Sequence, residues 1–333
     1  MSSGTEASGL AAAHSTQGTE PTKVVFITGM GRSGSTLLEL LLGRLDSWVP
    51  GGELRRYWHG DAFGDWVCGC GRPLAECDFW ARVRDDLADS RISPEEYPGF
   101  LELQAQYLRL RPGVLARLAA GARRSSEEDA PLHRYQVATA ALARAVAKAA
   151  GAGVVVDSSK EPPEAYLASW NPGIDLHVVH LVRDPRAVAH SFSKKVREPQ
   201  PDFEYMPRSN PFGTAVRWDL RQTLCEAVLR PRLRGRYMRM RYEDLARDPA
   251  GAVRSVARFA GEADPDLRFL DNGRVAFEEN HTFSGNPFRL RQAPIEINAD
   301  EAWRTGMTRR EKALAAAPAL PLLRHYGYRW QAE

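Results

Sequence analysis

Short apolar runs recur along this chain, and most are followed by glycine or polar residues and then by a stretch with helical periodicity. The runs that predict buried strands are residues 24–28, 154–156, 177–182 and 236–240. Helical periodicity predicts helices within 36–45, 81–121, 132–150, 185–191, 212–230, 249–260 and 308–317. Residues 46–80 are rich in glycine, tryptophan and aspartate and predict irregular structure.

Strands that alternate with helices favour an α/β fold in which helices cover both faces of a parallel sheet. In such sheets, ligands bind beyond the carboxyl ends of the strands. We find no internal repeat, so we expect one domain over residues 23–333, with 81–150 as a helical insertion. Residues 1–22 are rich in Ser, Gly, Thr and Ala and predict a disordered tail.

Composition narrows the possible functions only a little. The 333 residues carry a formal net charge of +3, which suits an anionic ligand. Nucleic-acid binding is not expected, because lysine and arginine form no dense stripe. No apolar run approaches the length of about 18 residues that predicts a membrane span. The N-terminus has neither the basic region nor the apolar region of a secretory signal, so we expect a cytoplasmic protein.

A glycine-rich turn follows the first predicted strand and leads into a helix. Such a turn binds phosphate groups, because backbone N–H groups and the positive end of the helix dipole converge on the anion. Gly29, Gly34 and Thr36 keep the spacing of a nucleotide triphosphatase loop, but Ser35 stands where the lysine is required. Arg32 is the cation within the loop. The turn therefore suits a phosphorylated anion without magnesium-triphosphate chemistry.

A second anion site is predicted at the end of the strand 177–182. Arg183 follows this strand directly, and an arginine can bind a phosphate through two parallel hydrogen bonds. Ser191 lies about two turns into the next helix, and Pro185 suits the first turn of that helix. A simple Arg-Asp helix cap would explain Asp184 and Pro185 but not a second phosphate site.

These motifs together resemble the sulfotransferases that use 3′-phosphoadenosine-5′-phosphosulfate (PAPS), in particular bacterial small-molecule and tyrosylprotein sulfotransferases. The loop at 29–36 resembles their 5′-phosphosulfate motif, and Arg183 with Ser191 resembles their 3′-phosphate motif. Two later segments also resemble segments of this family and follow in the same order. They are Arg-Tyr-Glu-Asp-Leu at 241–245 and Tyr-Gly-Tyr at 326–328. The resemblance implies a P-loop-like three-layer sandwich with a central parallel sheet, and a single sulfotransferase domain over 23–333.

The resemblance also implies a reaction and a set of site residues. A sulfuryl group passes from PAPS, the co-substrate, to an acceptor hydroxyl, and no metal is required. The residues expected to bind the nucleotide are Arg32, Ser33, Gly34, Ser35, Thr36, Arg183, Ser191, Tyr242, Asn286 and Arg289, with Arg291 as an alternative to Arg289. The residues expected to act in catalysis are Glu53, Lys160 and Ser284.

Lys160 is the expected cation on the bridging oxygen, although a solvated lysine at a strand end would look the same. Glu53 is the expected base, because it follows the first helix in a Gly-Glu pair, as in tyrosylprotein sulfotransferases. Two alternatives remain open for this role. His59 is a rival base, and Glu53 could instead serve only as an ion-pair partner of Arg55 or Arg56.

Three cysteines, Cys68, Cys70 and Cys77, lie close together in the irregular segment. Free thiols in a compact loop are expected; a local disulfide and a zinc site with His59 as fourth ligand are the alternatives. The same region is aromatic, and its rings either form a wall for the acceptor or fill a small core. The aromatic residues are Trp48, Tyr57, Trp58, Phe63, Trp66, Phe79 and Trp80.

The acceptor is expected to be a small molecule, a glycan or a lipid. The Ala/Arg-rich composition suits a high-GC bacterial genome, and a role in bacterial secondary metabolism is one expectation. Two other functions compete with sulfuryl transfer. A P-loop kinase would need a lysine at Ser35 and a strand-end aspartate, which Asp157 could supply. A non-catalytic relative would have lost Glu53 and Lys160, and both are present.

Overall fold

A sheet of five parallel strands forms the centre of the molecule. The computed structural model describes residues 20–59, 66–109, 113, 114, 116, 130–197 and 205–330. The strands are β1 (Thr22–Gly29), β2 (Trp48–Gly52), β3 (Val154–Lys160), β4 (Ile174–Val182) and β5 (Tyr237–Arg241), in the spatial order β2-β3-β1-β4-β5. The strand β1, which precedes the glycine-rich turn, is therefore the central one.

Helices pack on both faces of this sheet and along its edges. Those before β4 are α1 (Ser35–Leu42), α2 (Asp78–Asp89), α3 (Tyr97–Tyr107), α4 (Ala130–Ala150) and α5 (Pro162–Ala168). Those after β4 are α6 (Pro185–Ser193), α7 (Pro211–Leu224), α8 (Arg230–Arg232), α9 (Tyr242–Arg247), α10 (Pro249–Phe259), α11 (Trp303–Gly306), α12 (Arg309–Ala316) and α13 (Leu320–His325). A π-helical turn, Cys225–Leu229, joins α7 to α8.

Alternate side chains of β1 enter two separate apolar cores, as the period of a strand requires. Val24 and Phe26 pack with α4 and the aromatic residues around Trp58. Val25 and Ile27 pack on the other face, among residues of α1 and α10. Both faces of the sheet are thus covered, and the predicted three-layer α/β architecture is confirmed.

The strand β2 lies in the segment that the sequence predicted to be irregular, and this part of the prediction is wrong. Its sequence, Trp48-Val-Pro-Gly-Gly52, contains three residues that disfavour strands. The strand tolerates Pro50 because it forms one edge of the sheet. The position of β2 matters for function. Glu53 directly follows this strand and therefore lies at the same rim of the sheet as the phosphate loop.

Helices lie between β2 and β3, in the part of the chain where helical periodicity predicted an insertion, and the first stretch contains two helices. The helices α2 and α3 are separated by a turn with a capping box from Ser93 to Glu96. The aromatic residues of 46–80 that the structure describes are buried, most of them between the insertion and the sheet. They fill a core and do not form an acceptor wall; Phe63 lies outside the described residues.

After α10 the chain contains more regular structure than the single predicted helix at 308–317. The short strands β6 (Leu270–Asp271), β7 (Arg274–Val275) and β8 (Ile295–Glu296) form an antiparallel sheet that borders the candidate site. The predicted helix is present as α12. Within the described ranges, we find no helix whose length and apolar character would suit a membrane span.

Candidate active site

The phosphate loop connects β1 to α1 and wraps the first turn of that helix. Gly34 is the N-cap, at φ +90°, and no side chain caps the helix there. A Cβ atom at Gly34 would lie 2.5 Å from the ring of Tyr242, so only glycine allows this close approach. The N–H groups of the first turn of α1 therefore face an open cavity, as anion binding requires.

The cavity has a volume of about 480 Å³, which is within the usual range for small-molecule sites. It lies beyond the carboxyl ends of β1, β3 and β4. Ten of the predicted site residues line it: Arg32, Gly34, Ser35, Thr36, Glu53, Lys160, Arg183, Ser191, Tyr242 and Asn286. Segments that are far apart in the sequence thus meet at one rim, as the strand-end pattern predicted.

Two buried polar atoms around the phosphate loop suit an anionic ligand. Ser33 Oγ and Arg183 Nε are both inaccessible to solvent, and neither has a hydrogen-bond partner in the described part of the chain. An unsatisfied buried donor costs roughly 1–3 kcal/mol, so a phosphate oxygen that accepts from it would be stabilising. These residues therefore fit the phosphorylated ligand that the motif predicts.

Arg183 is held at the end of β4 by several contacts. Its guanidinium donates to the carbonyl of Arg32 at 3.0 Å and to Asp300 Oδ2 at 3.0 Å, and it stacks 4.3 Å from the ring centre of Tyr242. The neighbouring Asp184 instead caps α6 and pairs with the buried Arg186. Arg183 thus serves the cavity, while Asp184 has a structural role.

Asn286 and Arg289 were predicted together in one late loop, and the structure separates them. Asn286 lines the cavity, where its side chain also caps a 3₁₀ turn by accepting from Phe288 N. Arg289 is fully buried away from the cavity and donates to the carbonyls of Thr282 and Val67. Arg291, the alternative, does line the cavity and is the better candidate for nucleotide binding.

Lys160 and Glu53 meet at the centre of the rim. Lys160 Nζ lies 2.5 Å from Glu53 Oε1 and donates to the carbonyl of Ser158 at 2.8 Å. The other carboxylate oxygen of Glu53 lies 3.5 Å from Arg56 Nε, and Arg56 donates to Ser284 Oγ at 3.0 Å. Ser284 is buried behind this arginine and is not among the cavity-lining residues. It therefore contacts Arg56 and not the open cavity.

The charges around Glu53 set its protonation. Burial alone would raise the pKa of its carboxyl, but Lys160, Arg56 and Arg55 outweigh burial and lower the pKa to about 2. Glu53 is therefore ionised, and it becomes a better proton acceptor only when Lys160 moves its charge away. His59, the rival base, is exposed and stacks beside Trp66, outside the cavity lining. The geometry favours Glu53.

Two residues on this rim have left-handed backbone conformations that side chains other than glycine rarely adopt. Arg32 has φ +69° and Lys160 has φ +73°. At Lys160, the pairing of β3 with both of its neighbours shifts in register near the strand end. Such strain concentrates at functional sites, because the surrounding structure must hold it in place.

Glu39 was not predicted, yet it connects the two strand ends that carry Glu53 and Lys160. It lies on α1 and is 1 % exposed. Its carboxyl accepts from Gly52 N at 2.6 Å and from Ser158 Oγ at 2.7 Å. Burial raises the pKa of the Glu39 carboxyl to about 8, since these hydrogen bonds and Lys160 offset it only in part. The sequence offered one signal for Glu39, because it is the single charged residue in the otherwise apolar helix α1.

We expect Glu39→Gln to change how stability depends on pH. The pKa of Glu39 in the folded protein, about 8, lies above the ordinary value of 4.5, so the folded state holds this proton more tightly. The free energy of unfolding of the wild type should therefore fall as pH rises through this window. Glutamine has no carboxyl to ionise, so the stability of the variant lacks this pH dependence. The Tm of the variant relative to that of the wild type should therefore be higher at about pH 9 than at about pH 6.

Thermal unfolding followed by circular dichroism at both pH values measures this difference. Glu102→Gln, at an exposed position, is the matched control and should follow the wild type. A Tm difference for Glu39→Gln that stays constant across the pH range would show that Glu39 is not a buried, protonated carboxyl.

Several cavity residues were missed by sequence reasoning. Apolar side chains form one wall: Leu37, Phe192, Met206, Pro207, Phe288, Ile295 and Ile297. Asp300 was missed too, although it pairs with Arg183. Leu37 lies in the first turn of α1 and Phe192 lies on α6. The others come from loops and short strands later in the chain, and only tertiary contacts bring them to the phosphate loop.

The fold and the site define an α/β protein whose phosphate loop lacks the triphosphatase lysine. An arginine, Arg183, lies beside this loop, at the end of the neighbouring strand β4. This chain belongs to the sulfotransferase family, whose sequence model matches residues 24–266. The family resemblance predicted from the motifs is thereby confirmed.

Curated relatives are similar over part of the chain. Human carbohydrate sulfotransferase 6 is 34% identical over 183 residues, which cover 48% of this chain and 43% of that protein. Mouse carbohydrate sulfotransferase 5 is 36% identical over 105 residues, which cover 27% of this chain and 26% of that protein. The matched region thus spans less than half the length of these relatives.

Solved structures of two sulfotransferase domains are also similar. The domain from the Synechococcus PCC 7002 olefin synthase is 22% identical with a TM-score of 0.46, covering 94% of this chain and 97% of that one. The domain from the curacin biosynthetic pathway is 15% identical with a TM-score of 0.49, covering 93% of this chain and 99% of that one.

Proposed function

We propose that this protein transfers the sulfuryl group of PAPS to a hydroxyl of a carbohydrate acceptor. One observation carries most weight: Lys160 and Glu53, a cation and a base, meet 2.5 Å apart in the cavity that also holds the phosphate loop and Arg183. A cation for the leaving group and a base for the attacking group are the two elements that this transfer needs.

The residues divide between the two ends of the donor. The N–H groups at Ser35 and Thr36, with Arg32, suit the 5′-phosphosulfate, and Arg183 with Ser191 suits the 3′-phosphate. The apolar wall around Phe192 and Phe288 suits the faces of an adenine ring. The 3′-phosphate would have to share Arg183 with Asp300 or displace that carboxylate.

The transfer follows from these positions. The acceptor oxygen attacks sulfur while the bond from sulfur to the bridging phosphate oxygen breaks, and Glu53 takes the proton of the acceptor hydroxyl. Negative charge collects on the leaving phosphate, where Lys160 and the loop amides stabilise it. The products are a sulfate ester and adenosine 3′,5′-bisphosphate. Lys160 must leave Glu53 for this step, which raises the basicity of the carboxylate as the leaving group gains its cation.

The acceptor class rests on the two curated relatives described above, which are both carbohydrate sulfotransferases by name. A direct test offers the protein PAPS together with simple sugars, alkyl glycosides or 4-nitrophenol, and measures release of adenosine 3′,5′-bisphosphate. We expect release that depends on a sugar hydroxyl. Release with 4-nitrophenol but with none of the sugars would show that the acceptor is a phenol and not a carbohydrate.

The donor site is tested by calorimetric titration with adenosine 3′,5′-bisphosphate in EDTA. We expect binding that needs no magnesium and is at least about tenfold tighter than that of adenosine 5′-monophosphate, because Arg183 adds a charge-assisted contact. Magnesium ATP is the comparator for the kinase alternative. Tighter binding of magnesium ATP than of the bisphosphate would contradict the assignment, despite Ser35 in the lysine position.

A further inference from the structure

Three cysteines and a histidine meet between two loops beside the candidate active site. Cys68, Cys70 and Cys77 come from the segment before α2, and His281 comes from the loop before Ser284. One ligand atom from each of the four residues lies within 4.8 Å of all the others. We propose that these four side chains bind one structural Zn²⁺ ion.

The distances between the donor atoms match a tetrahedral zinc site. His281 Nδ1 lies 3.4 Å from the Cys77 sulfur and 3.7 Å from the Cys68 sulfur, and the sulfurs of Cys70 and Cys77 are 3.9 Å apart. Zinc bonds of about 2.3 Å to sulfur and about 2.0–2.1 Å to nitrogen separate tetrahedral ligands by roughly 3.5–3.8 Å. These three distances thus already match a tetrahedral site, and all four donors lie within 4.8 Å of one another.

A disulfide does not account for this arrangement. The sulfurs of Cys70 and Cys77 are 3.9 Å apart, whereas a disulfide bond is about 2.05 Å long, and all three thiols are free. A disulfide between any two cysteines would also leave the third sulfur and the imidazole without a role. The two sulfurs nearest His281 belong to fully buried residues, Cys68 and Cys77.

The two loops are built to bring the ligands together. Cys68 begins a tight turn in which its N–H donates to Arg72 O and its carbonyl accepts from Gly71 N. Gly69, between the first two cysteines, donates to Thr282 O at 3.1 Å. A Cβ atom at Gly69 would lie 2.1 Å from Asn280 Oδ1, so no larger residue fits between the turn and the histidine loop.

The imidazole of His281 is oriented for coordination. Its ring stacks on Phe79, with ring centres 4.8 Å apart and planes 4° from parallel. Nδ1 faces the sulfurs, while Nε2 faces the carboxylate of Glu279 at 3.9 Å. Ligand histidines commonly have a carboxylate or carbonyl near the second ring nitrogen, which fixes the tautomer. Trp80 Nε1 also donates to the carbonyl of His281 at 3.0 Å, which anchors the backbone.

Zinc at this position would fix the loop that borders the active site. Arg289 already bridges the same two segments by donating to Thr282 O and Val67 O. Ser284 and Asn286 lie between His281 and Arg289, so the ion and the arginine would hold both ends of this stretch. Coordination forms three zinc–sulfur bonds and one zinc–nitrogen bond, and the thiol protons pass to solvent. Zinc binding does not depend on the proposed sulfuryl transfer.

Metal analysis of the full-length chain tests this inference directly. The protein is purified under reducing conditions without a metal-affinity resin, and zinc is measured by mass spectrometry; we expect about one zinc per chain. Replacement of zinc by Co²⁺ should give the absorption bands of a tetrahedral thiolate site. This measurement uses the wild type, so it does not depend on a variant that folds.

Variants assign the ligands. Cys77→Ser and His281→Ala should each lower the zinc content at least about tenfold. Cys225→Ala removes the fourth cysteine, which lies near Thr28, and His59→Ala removes the ligand suggested by sequence alone; both should keep about one zinc per chain. Zinc well below stoichiometry in reduced wild type supplied with Zn²⁺, or the mass loss of a disulfide, would overturn the inference. Loss of zinc in His59→Ala but not in His281→Ala would also overturn it.

Discussion

Glu53→Gln is expected to lower kcat by about a thousandfold, within the range usual for loss of a general base. The amide keeps the shape of the carboxylate but accepts no proton from the acceptor hydroxyl. Binding of adenosine 3′,5′-bisphosphate should stay the same or tighten slightly, because Lys160 loses its carboxylate partner and gains freedom to contact phosphate. The measurement is release of the bisphosphate from PAPS, using the fastest sugar acceptor, together with calorimetry on the same preparation.

His59→Ala is the matched control, since this histidine was the rival base and is exposed outside the cavity. It should keep the turnover of the wild type. Normal turnover in Glu53→Gln, or a large loss in His59→Ala, would remove Glu53 from the role of base. Loss of nucleotide binding in Glu53→Gln would instead point to a structural role for the ion pair with Lys160.

Arg183→Ala is expected to weaken binding of adenosine 3′,5′-bisphosphate by about a hundredfold, corresponding to loss of two charge-assisted hydrogen bonds. Binding of adenosine 5′-monophosphate should change much less, because that ligand has no 3′-phosphate. The preference between the two nucleotides should therefore disappear. Calorimetry with both ligands measures this ratio directly.

Arg183 also contacts Arg32 O and Asp300, so a general disturbance of the loop must be separated from loss of the phosphate contact. Equal weakening of both nucleotides would indicate such a disturbance and contradict the 3′-phosphate assignment. Arg247→Ala changes an exposed arginine paired with Asp244 and serves as the control. It should bind both nucleotides as the wild type does.

Much of the fold and of the nucleotide site could be predicted from the sequence, because short stretches of the chain were enough to indicate the strands and the polar residues at their ends. A buried apolar run fixes β1, and the residues that follow a parallel strand must lie at one rim of the sheet. Arg183 and Lys160 were found in this way. Both were placed without knowledge of the strand order, since each directly follows or ends its own strand.

The elements that were missed or misjudged depend on tertiary contacts. The strand β2 has weak local propensity and forms only because β3 offers it an edge. Trp58 and Trp80 looked equally suitable for a ligand wall or a core, and only the packing of α2 to α4 decides for the core. Burial is a property of the assembled layers and not of the aromatic residue itself.

Long-range partners were the least predictable feature. His281 and Cys77 are 204 residues apart, and no spacing rule connects them, so the nearer His59 was the natural candidate for a fourth ligand. Arg289 and Arg291 differ by two positions in one loop, yet the first is buried and the second faces the cavity. The path of the loop over Thr282 decides which arginine reaches the ligand.

The left-handed backbone at Arg32 and Lys160 has a consequence for how related chains diverge. Any residue other than glycine costs about 1–2 kcal/mol in this conformation, so selection for stability alone would replace both side chains. Arginine and lysine stand at these positions despite this cost, as is expected where a strained side chain serves a functional site. A descendant under no selection for turnover would drift toward glycine at both positions. Glycine at these two places would therefore mark a relative that has kept the fold and given up the reaction.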